Sequence, residues 1–347
     1  MIPNHPLSSP KPARRVTLLD VARKAGVSRA TASLVVRNSP LIAAYTREKV
    51  MAAMKDLGYV YHRAAASLRS QQTGVIGLII TDITNPFFAQ LTVSCETRLE
   101  EAGYSVLLGN TSDTVSKQDR ILAMMHEFSV DGILICPAND TDLSLIERLD
   151  QWQLPYVLVA RYLFEREINY VGADNLLGAQ LATEHLVQSG HRRIGFIGGS
   201  PRSSARSDRY QGYCNVLQRY QIAIDPGLSV TSPVTREGGR AALLELLSLS
   251  DPPTAALCYN DIVAFGVMLG LQAAGKTAGK DFDVIGFDDI EEAALWTPSL
   301  SSVAMSPNEI GLRATNLLLS LIENPDNSPQ RIVLPPKLVI RQSCCRT

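Results

Sequence analysis

The 347-residue sequence has no run of eighteen or more apolar residues, so it lacks the raw material for a bilayer-spanning helix. Its start places Pro3, Pro6, Pro10 and Pro12 where an export signal needs an unbroken apolar stretch, and the chain is therefore expected to stay in the cytoplasm. Cysteine is scarce: Cys95, Cys136, Cys214, Cys258, Cys344 and Cys345 form no CxxC pair and no metal spacing, which reads as reduced, inert thiols. The histidines (His5, His62, His126, His185 and His191) are scattered, and neither HExxH nor GxSxG occurs. Catalytic, metal and cofactor carriers are thus missing, and neither an enzyme nor a cofactor protein is expected.

What the chain does have is charge unevenly placed. Residues 1 to 72 hold 12 Lys and Arg against Asp20, Glu48 and Asp56, a balance of +9, although the whole chain carries only −1. The remainder therefore carries −10. One end suits a polyanion and the rest does not.

The patterning divides along the same line. Residues 1 to 15 are polar and Pro-rich and read as a flexible lead-in. From Thr17, a capping position with Asp20 three residues on, a short helix puts Leu18, Val21, Ala22 and Ala25 on one face. Gly26 permits a left-handed turn, Ser28 caps a second helix from Arg29 to about Val36, and a third from Ala44 to Leu57 presents Val50, Ala53, Met54 and Leu57. Helix, tight turn and helix make a helix-turn-helix unit over residues 16–61. Residues 62–73 are Ala-rich, helix-competent and too short to hold helix unaided, so they read as a hinge or linker.

Beyond residue 74, apolar β-type runs at Val75–Thr81, Val106–Leu108, Gly132–Cys136, Tyr156–Val159, Ile194–Ile197, Ala255–Cys258 and Val284–Phe287 alternate with helical patterns. Such alternation predicts α/β architecture with parallel sheets in two lobes, an N-lobe of about 74–172 and 304–331 and a C-lobe of about 173–303 and 332–347. Gly270 to Thr277 spells G-x-x-x-x-G-K-T, but a helical pattern runs into it and a strand follows. A phosphate loop needs the reverse order, so Gly275 reads as a helix C-cap.

The runs Val16 to Ser28, Thr46 to Val50 and Leu57-Gly-Tyr59 resemble the DNA-binding domain of the LacI family of bacterial regulators. The likeness continues in order through Ser67-Leu68, Gly74 to Gly77, Asn85-Pro-Phe-Phe88, Gly190 to Gly198, Asn260-Asp261 and Ile285 to Asp289. Gly212-Tyr-Cys214 and Cys258-Tyr-Asn260 further resemble the maltose regulon repressor branch. The resemblance implies a helix-turn-helix head, a hinge helix and a two-lobed, periplasmic-binding-protein-like effector domain. It implies DNA contacts from Thr17, Ser28, Arg29, Ala30, Thr31, Ser33 and Leu34, and hinge contacts from His62, Ala65 and Leu68, with Leu68 wedged into the minor groove, while Arg15, Arg37, Arg47, Lys49 and Arg63 read as phosphate contacts.

In open α/β sheets the ligand crevice lies beyond the strand ends; Phe87, Phe88, Arg161, Arg209, Asn260 and Asp288 each follow a strand or open a helix on that side, and the LacI-family resemblance implies that they are effector positions. The phenylalanines can stack on a sugar or base and the polar groups can fork hydrogen bonds to hydroxyls, with ordinary core the competing reading for the two rings. Trp296, placed on an interlobe connection, is expected as a further wall. Ala160 stands where the family often has aspartate before the arginine, so the hydroxyl pattern recognised is expected to differ.

Together these imply a regulator, most simply a repressor, whose affinity for a near-palindromic double-stranded operator is switched by a small, sugar-like effector. A homodimer is expected because one recognition helix reads one half-site, and no heptad segment follows to build tetramers. Two other classes stay open at this point: a sugar-binding protein without DNA regulation, which would leave the basic end unused, and a sugar-modifying enzyme, which would need catalytic groups.

Overall fold

The capping box at Thr17 forms. Its backbone N–H donates to Asp20 Oδ2 at 2.9 Å, and the Asp20 N–H returns to Thr17 Oγ1 at 3.4 Å. This starts α1 (Leu18–Ala25), and Gly26, at φ 66°, ends it in the left-handed conformation that spares a glycine the usual penalty. α2 (Arg29–Val36) and α3 (Ala44–Leu57) follow, and Val21, Ala22, Ala25, Ala32, Val35, Val50 and Ala53 close a small core between the three. The computed structural model describes residues 16–36, 39–59, 73–163 and 167–344, and the chain divides into two units, Met1–Thr73 and Gly74–Thr347.

The larger unit holds two six-stranded sheets. In the first, β1 (Val75–Ile80), β2 (Ser105–Asn110), β3 (Gly132–Ile135), β4 (Tyr156–Val159) and β5 (Tyr170–Ala173) alternate with α4 (Pro86–Glu101), α5 (Val115–Glu127) and α6 (Ser144–Gln151). The second begins after α7 (Asn175–Gln188): β6 (Ile194–Ile197), α8 (Ser204–Arg219), β7 (Ser229–Val230), α9 (Arg236–Leu247), β8 (Ala255–Cys258), α10 (Asp261–Ala273), β9 (Asp283–Asp288), α11 (Glu291–Leu295) and β10 (Ser301–Ala304). The chain then returns to the first lobe with α12 (Pro307–Glu323), which packs against α4 and β3 to β5, and with β11 (Arg331–Leu334), before β12 (Lys337–Val339) joins the second.

The strand orders are β11-β5-β4-β3-β1-β2 and β12-β10-β9-β8-β6-β7. Every pairing is parallel except that of β12 with β10. Strands covered on both faces by helices read as apolar runs, and β3, β6 and β8 are buried at every position, as is β9, which carries Asp283 and Asp288 at its two ends. The last return to the second lobe falls between Leu334 and Lys337, slightly later than the expected 331/332 boundary, because β11 pairs with β5. Helices α9 and α10 meet backbone to backbone: a Cβ on Gly239 would collide with the Val263 carbonyl, and one on Gly266 with that of Arg236.

The glycine-rich run at 270–277 lies where its context placed it. Helix α10 ends at Ala273, Gly275 takes φ 71°, and the Lys276 N–H closes on the Leu271 carbonyl at 2.9 Å. This is a helix C-terminus, which offers carbonyls and no phosphate cradle. Among the described residues no helix is long and apolar enough to cross a membrane.

Candidate functional site

The smaller unit presents α2. Ala32 and Val35 turn into the core, Arg29 and Ala30 are exposed, and Thr31, Ser33 and Leu34 are half-buried. Ser28 Oγ accepts the Thr31 N–H at 3.0 Å and meets its hydroxyl at 2.9 Å, so both of these expected DNA contacts first serve to start α2, as Thr17 starts α1. Asp20 and Asp56 are engaged by Arg23 at 3.5 Å and Lys24 at 3.0 Å. Arg47 is half-buried and donates to the Ser39 carbonyl at 2.7 Å, which fixes the turn between α2 and α3. Arg15, Arg37, His62, Arg63, Ala65 and Leu68 lie outside the described residues.

The larger unit contains a cavity of about 630 Å³, within the range of small-molecule sites, roughly 300–1,000 Å³. Its lining comes from the carboxyl ends of strands in both sheets: Asp82 and Asn85 after β1, Asp113 after β2, Arg161 after β4, Asn175 after β5, Ser200 after β6, Asn260 after β8 and Asp288 at the end of β9. Parallel strands all point their carboxyl ends one way, so two such sheets aim two sets of loops at the crevice.

Of the seven effector candidates, Phe87, Phe88, Arg161, Arg209, Asn260 and Asp288 line this cavity. Trp296 does not. It stacks on Phe265 at 4.5 Å as part of the second lobe's core edge. The segment after it was expected to cross between lobes, but it runs into β10 within the second sheet, and the crossing comes only after Ala304.

Arg209 is held from several sides. Its Nε donates to Asn175 Oδ1 at 2.8 Å, another nitrogen donates to the Tyr259 carbonyl, and the guanidinium lies over the rings of Phe287 at 4.2 Å and Tyr259 at 4.9 Å. Asp288 is 3.8 Å from it, at φ 102°, a backbone setting that costs a non-glycine residue on the order of 1–3 kcal/mol and tends to mark functional positions. Burial pushes the Asp288 carboxyl up to about 6, against the opposing pull of Arg209 and of the nearby Asn85 side chain. Asn85 and Asp288 come from different lobes and line the cavity together. Asp261, fully buried behind it, accepts from Ser302 at 2.6 Å and the Ile290 N–H at 2.9 Å; burial, and next the Asp288 charge, raise its carboxyl well above the usual range. Asn260 spends its Oδ1 capping α10 through the Val263 N–H at 3.0 Å, which leaves its amide hydrogens as the group it can offer.

Across the cavity, Arg161 finds its carboxylate in Asp113. The pair is bidentate, at 2.7 and 3.2 Å, and Asn139 closes it with its backbone N–H at 2.8 Å and side-chain amide at 2.6 Å. Ala160 contributes no acid beside Arg161, and a different loop does so instead. Asp113, Asn139, Asn175 and Tyr259 were not expected as cavity residues from the sequence. Their one available signal is position just past a strand, and β5, which precedes Asn175, was itself unread.

Residues 17–61 match the family of bacterial regulatory proteins of the lacI type, and residues 183–344 match a periplasmic binding protein-like domain. The ribose operon repressor of Haemophilus influenzae is 34% identical over 328 residues, covering 94% of this chain and 98% of that relative. The chain belongs to the LacI family of bacterial regulatory proteins. This LacI-family member is a DNA-binding transcriptional regulator and not an enzyme. The maltose regulon regulatory protein MalI of Escherichia coli is 30% identical over 337 residues, with 94% of this chain and 98% of that protein covered, so the identities do not single out one branch of the LacI family. Among solved structures, a lac repressor dimer bound to operator and the anti-inducer ONPF aligns with a TM-score of 0.84 and 28% identity, over 95% of this LacI-family chain and 99% of that one.

Proposed function

We propose that this regulator is a cytoplasmic homodimeric repressor that binds a near-palindromic operator through α2 and releases or gains it when a sugar-like effector fills the cavity between its two sheets. The observation that carries the reading is the cavity itself, where six residues expected from sequence converge with paired donors and acceptors suited to hydroxyls. In this reading Arg29, Ala30, Ser33 and Leu34 face base edges, the apolar Leu34 favouring a thymine methyl, while Ser28, Thr31, Thr17 and Arg47 hold the helices and meet phosphates. Leu68 is assigned the minor-groove wedge, with His62 and Ala65 beside it in the hinge, and Arg37 and Arg63 are assigned phosphates. The ribose and maltose regulon relatives and the ligand-bound lac repressor dimer support a sugar effector and a dimer.

The effector acts by a shift between lobe arrangements, through groups such as Asp288 and Asn85 that meet across the cleft. The test is selection of bound duplexes from a randomised pool by the full chain. Recovery of a two-fold symmetric sequence supports the reading, and recovery of unrelated sequences with equal affinity refutes it.

A further inference from the structure

The charged groups lining the cavity are Asp82, Asp113, Asp288, Arg161 and Arg209, three acids against two guanidiniums. Neither guanidinium is left unmatched. Arg161 carries Asp113 on both of its terminal nitrogens and donates as well to the Pro137 carbonyl and Asn139 Oδ1, each at 3.3 Å. Arg209 is spread over Asn175, the Tyr259 carbonyl and Asp288. Asp82 takes its hydrogen bonds from Thr84 in its own loop, at 2.9 Å from the N–H and 2.7 Å from the hydroxyl. The helix starts at Asn85 and Asn260 are closed by their own side chains, so those N–H dipoles are partly spent.

A ligand bearing a phosphate or carboxylate would therefore enter a lining that already has one acid in excess. Its desolvation would be answered by no available cation. Hydroxyls meet no such cost, because each can donate to Asp82 or Asp288, whose oxygens are not all taken, and accept from an arginine N–H. Arg161 is 7% exposed and Asp113 sits on its outer side, so Asp113 is what keeps that guanidinium from serving as an anion site.

We infer that the effector is an uncharged polyol, not a phosphate ester or sugar acid, and that Asp113 is the residue that enforces this choice. The inference rests on the cavity being the effector site, as proposed above.

Titration calorimetry with the full chain tests it, using pentoses, hexoses and disaccharides in matched sets: ribose with ribose 5-phosphate, glucose with glucose 6-phosphate and gluconate, maltose with maltose 6-phosphate. The neutral member of at least one set is expected to bind at least about tenfold more tightly than its anionic partners. Asp113→Asn and Asp113→Ala should narrow or invert that ratio by roughly tenfold, by freeing Arg161 for the anion. An anionic member that binds more tightly, for instance at the start of α8, which has no side-chain cap, overturns the inference and leaves the sugar-effector reading standing. A ratio unchanged in both variants, with melting curves showing both folded, removes Asp113 from the role. Absence of binding by any member of any set overturns the sugar-effector reading and this inference together.

Discussion

Replacing Asp288 by asparagine keeps the shape of the side chain and removes a carboxyl that burial has pushed from 3.8 to about 6. A raised carboxyl means that the folded chain binds a proton more readily than the unfolded chain between those two values. Stability therefore falls as pH rises from about 4 to about 6 and stays reduced above, which is the reverse of a salt-bridged aspartate. At 1.36 kcal/mol per pH unit the penalty at neutral pH is roughly 3 kcal/mol. Asparagine abolishes it. It also alters contacts with Arg209 and Asn85, but that offset is the same at every pH and cancels when the difference between variant and parent is followed along the pH axis. Asp261, whose carboxyl Asp288 also raises, moves in the same direction, so its relief adds to the figure worked for Asp288 alone.

Denaturant unfolding at pH 4.5 to 8 should show the Asp288→Asn chain gaining on its parent by about 2–3 kcal/mol over that range, or roughly 5–10 °C in the melting temperature of the larger unit. The same variant should lose effector affinity, because the strongest acceptor on the second lobe is gone. A stability difference independent of pH would refute the claim that the cavity stores an electrostatic penalty at Asp288.

Arg209→Ala should leave the Asp288 charge without its buried counterpart and cost roughly 3–5 kcal/mol of stability at pH 8, with a smaller loss at pH 5 where Asp288 takes up a proton; unfolding curves at the two pH values check this. Arg29→Ala should weaken operator binding by about 1–3 kcal/mol and leave calorimetric effector binding untouched, since the two functions lie in different units. Thr17→Ala removes the capping box and should cost the helical unit about 1 kcal/mol, seen as a lower melting midpoint for that unit with the larger one unchanged.

Local chemistry was the most readable part of the chain. Thr17, Gly26, Ser28 and Gly275 each announce a helix end because capping needs particular side chains or a left-handed backbone, and all four do what their types require. Strands buried on both faces also show themselves as apolar runs. Three strands did not: β7 has two residues, β11 alternates exposed and half-buried positions on the sheet edge, and β5, though buried throughout, reads Tyr-Val-Gly-Ala, in which Gly172 and Ala173 blur the apolar run. In the cavity, position past a strand or at a helix start, together with the family resemblance, gathered six of seven candidates. It failed for Trp296, whose large apolar ring was better used against Phe265, and it could not pair Arg161 with Asp113, 48 residues away, because a long-range partner leaves no mark on the local sequence.

The most direct measurement is the affinity of the full chain for its selected operator, by fluorescence anisotropy at fixed salt, with and without the sugar that binds most tightly in calorimetry. Coupling between the cavity and α2 predicts a change of about 5- to 150-fold, in either direction, that disappears in Asp288→Asn. An operator affinity that stays constant while the cavity is saturated would contradict the account.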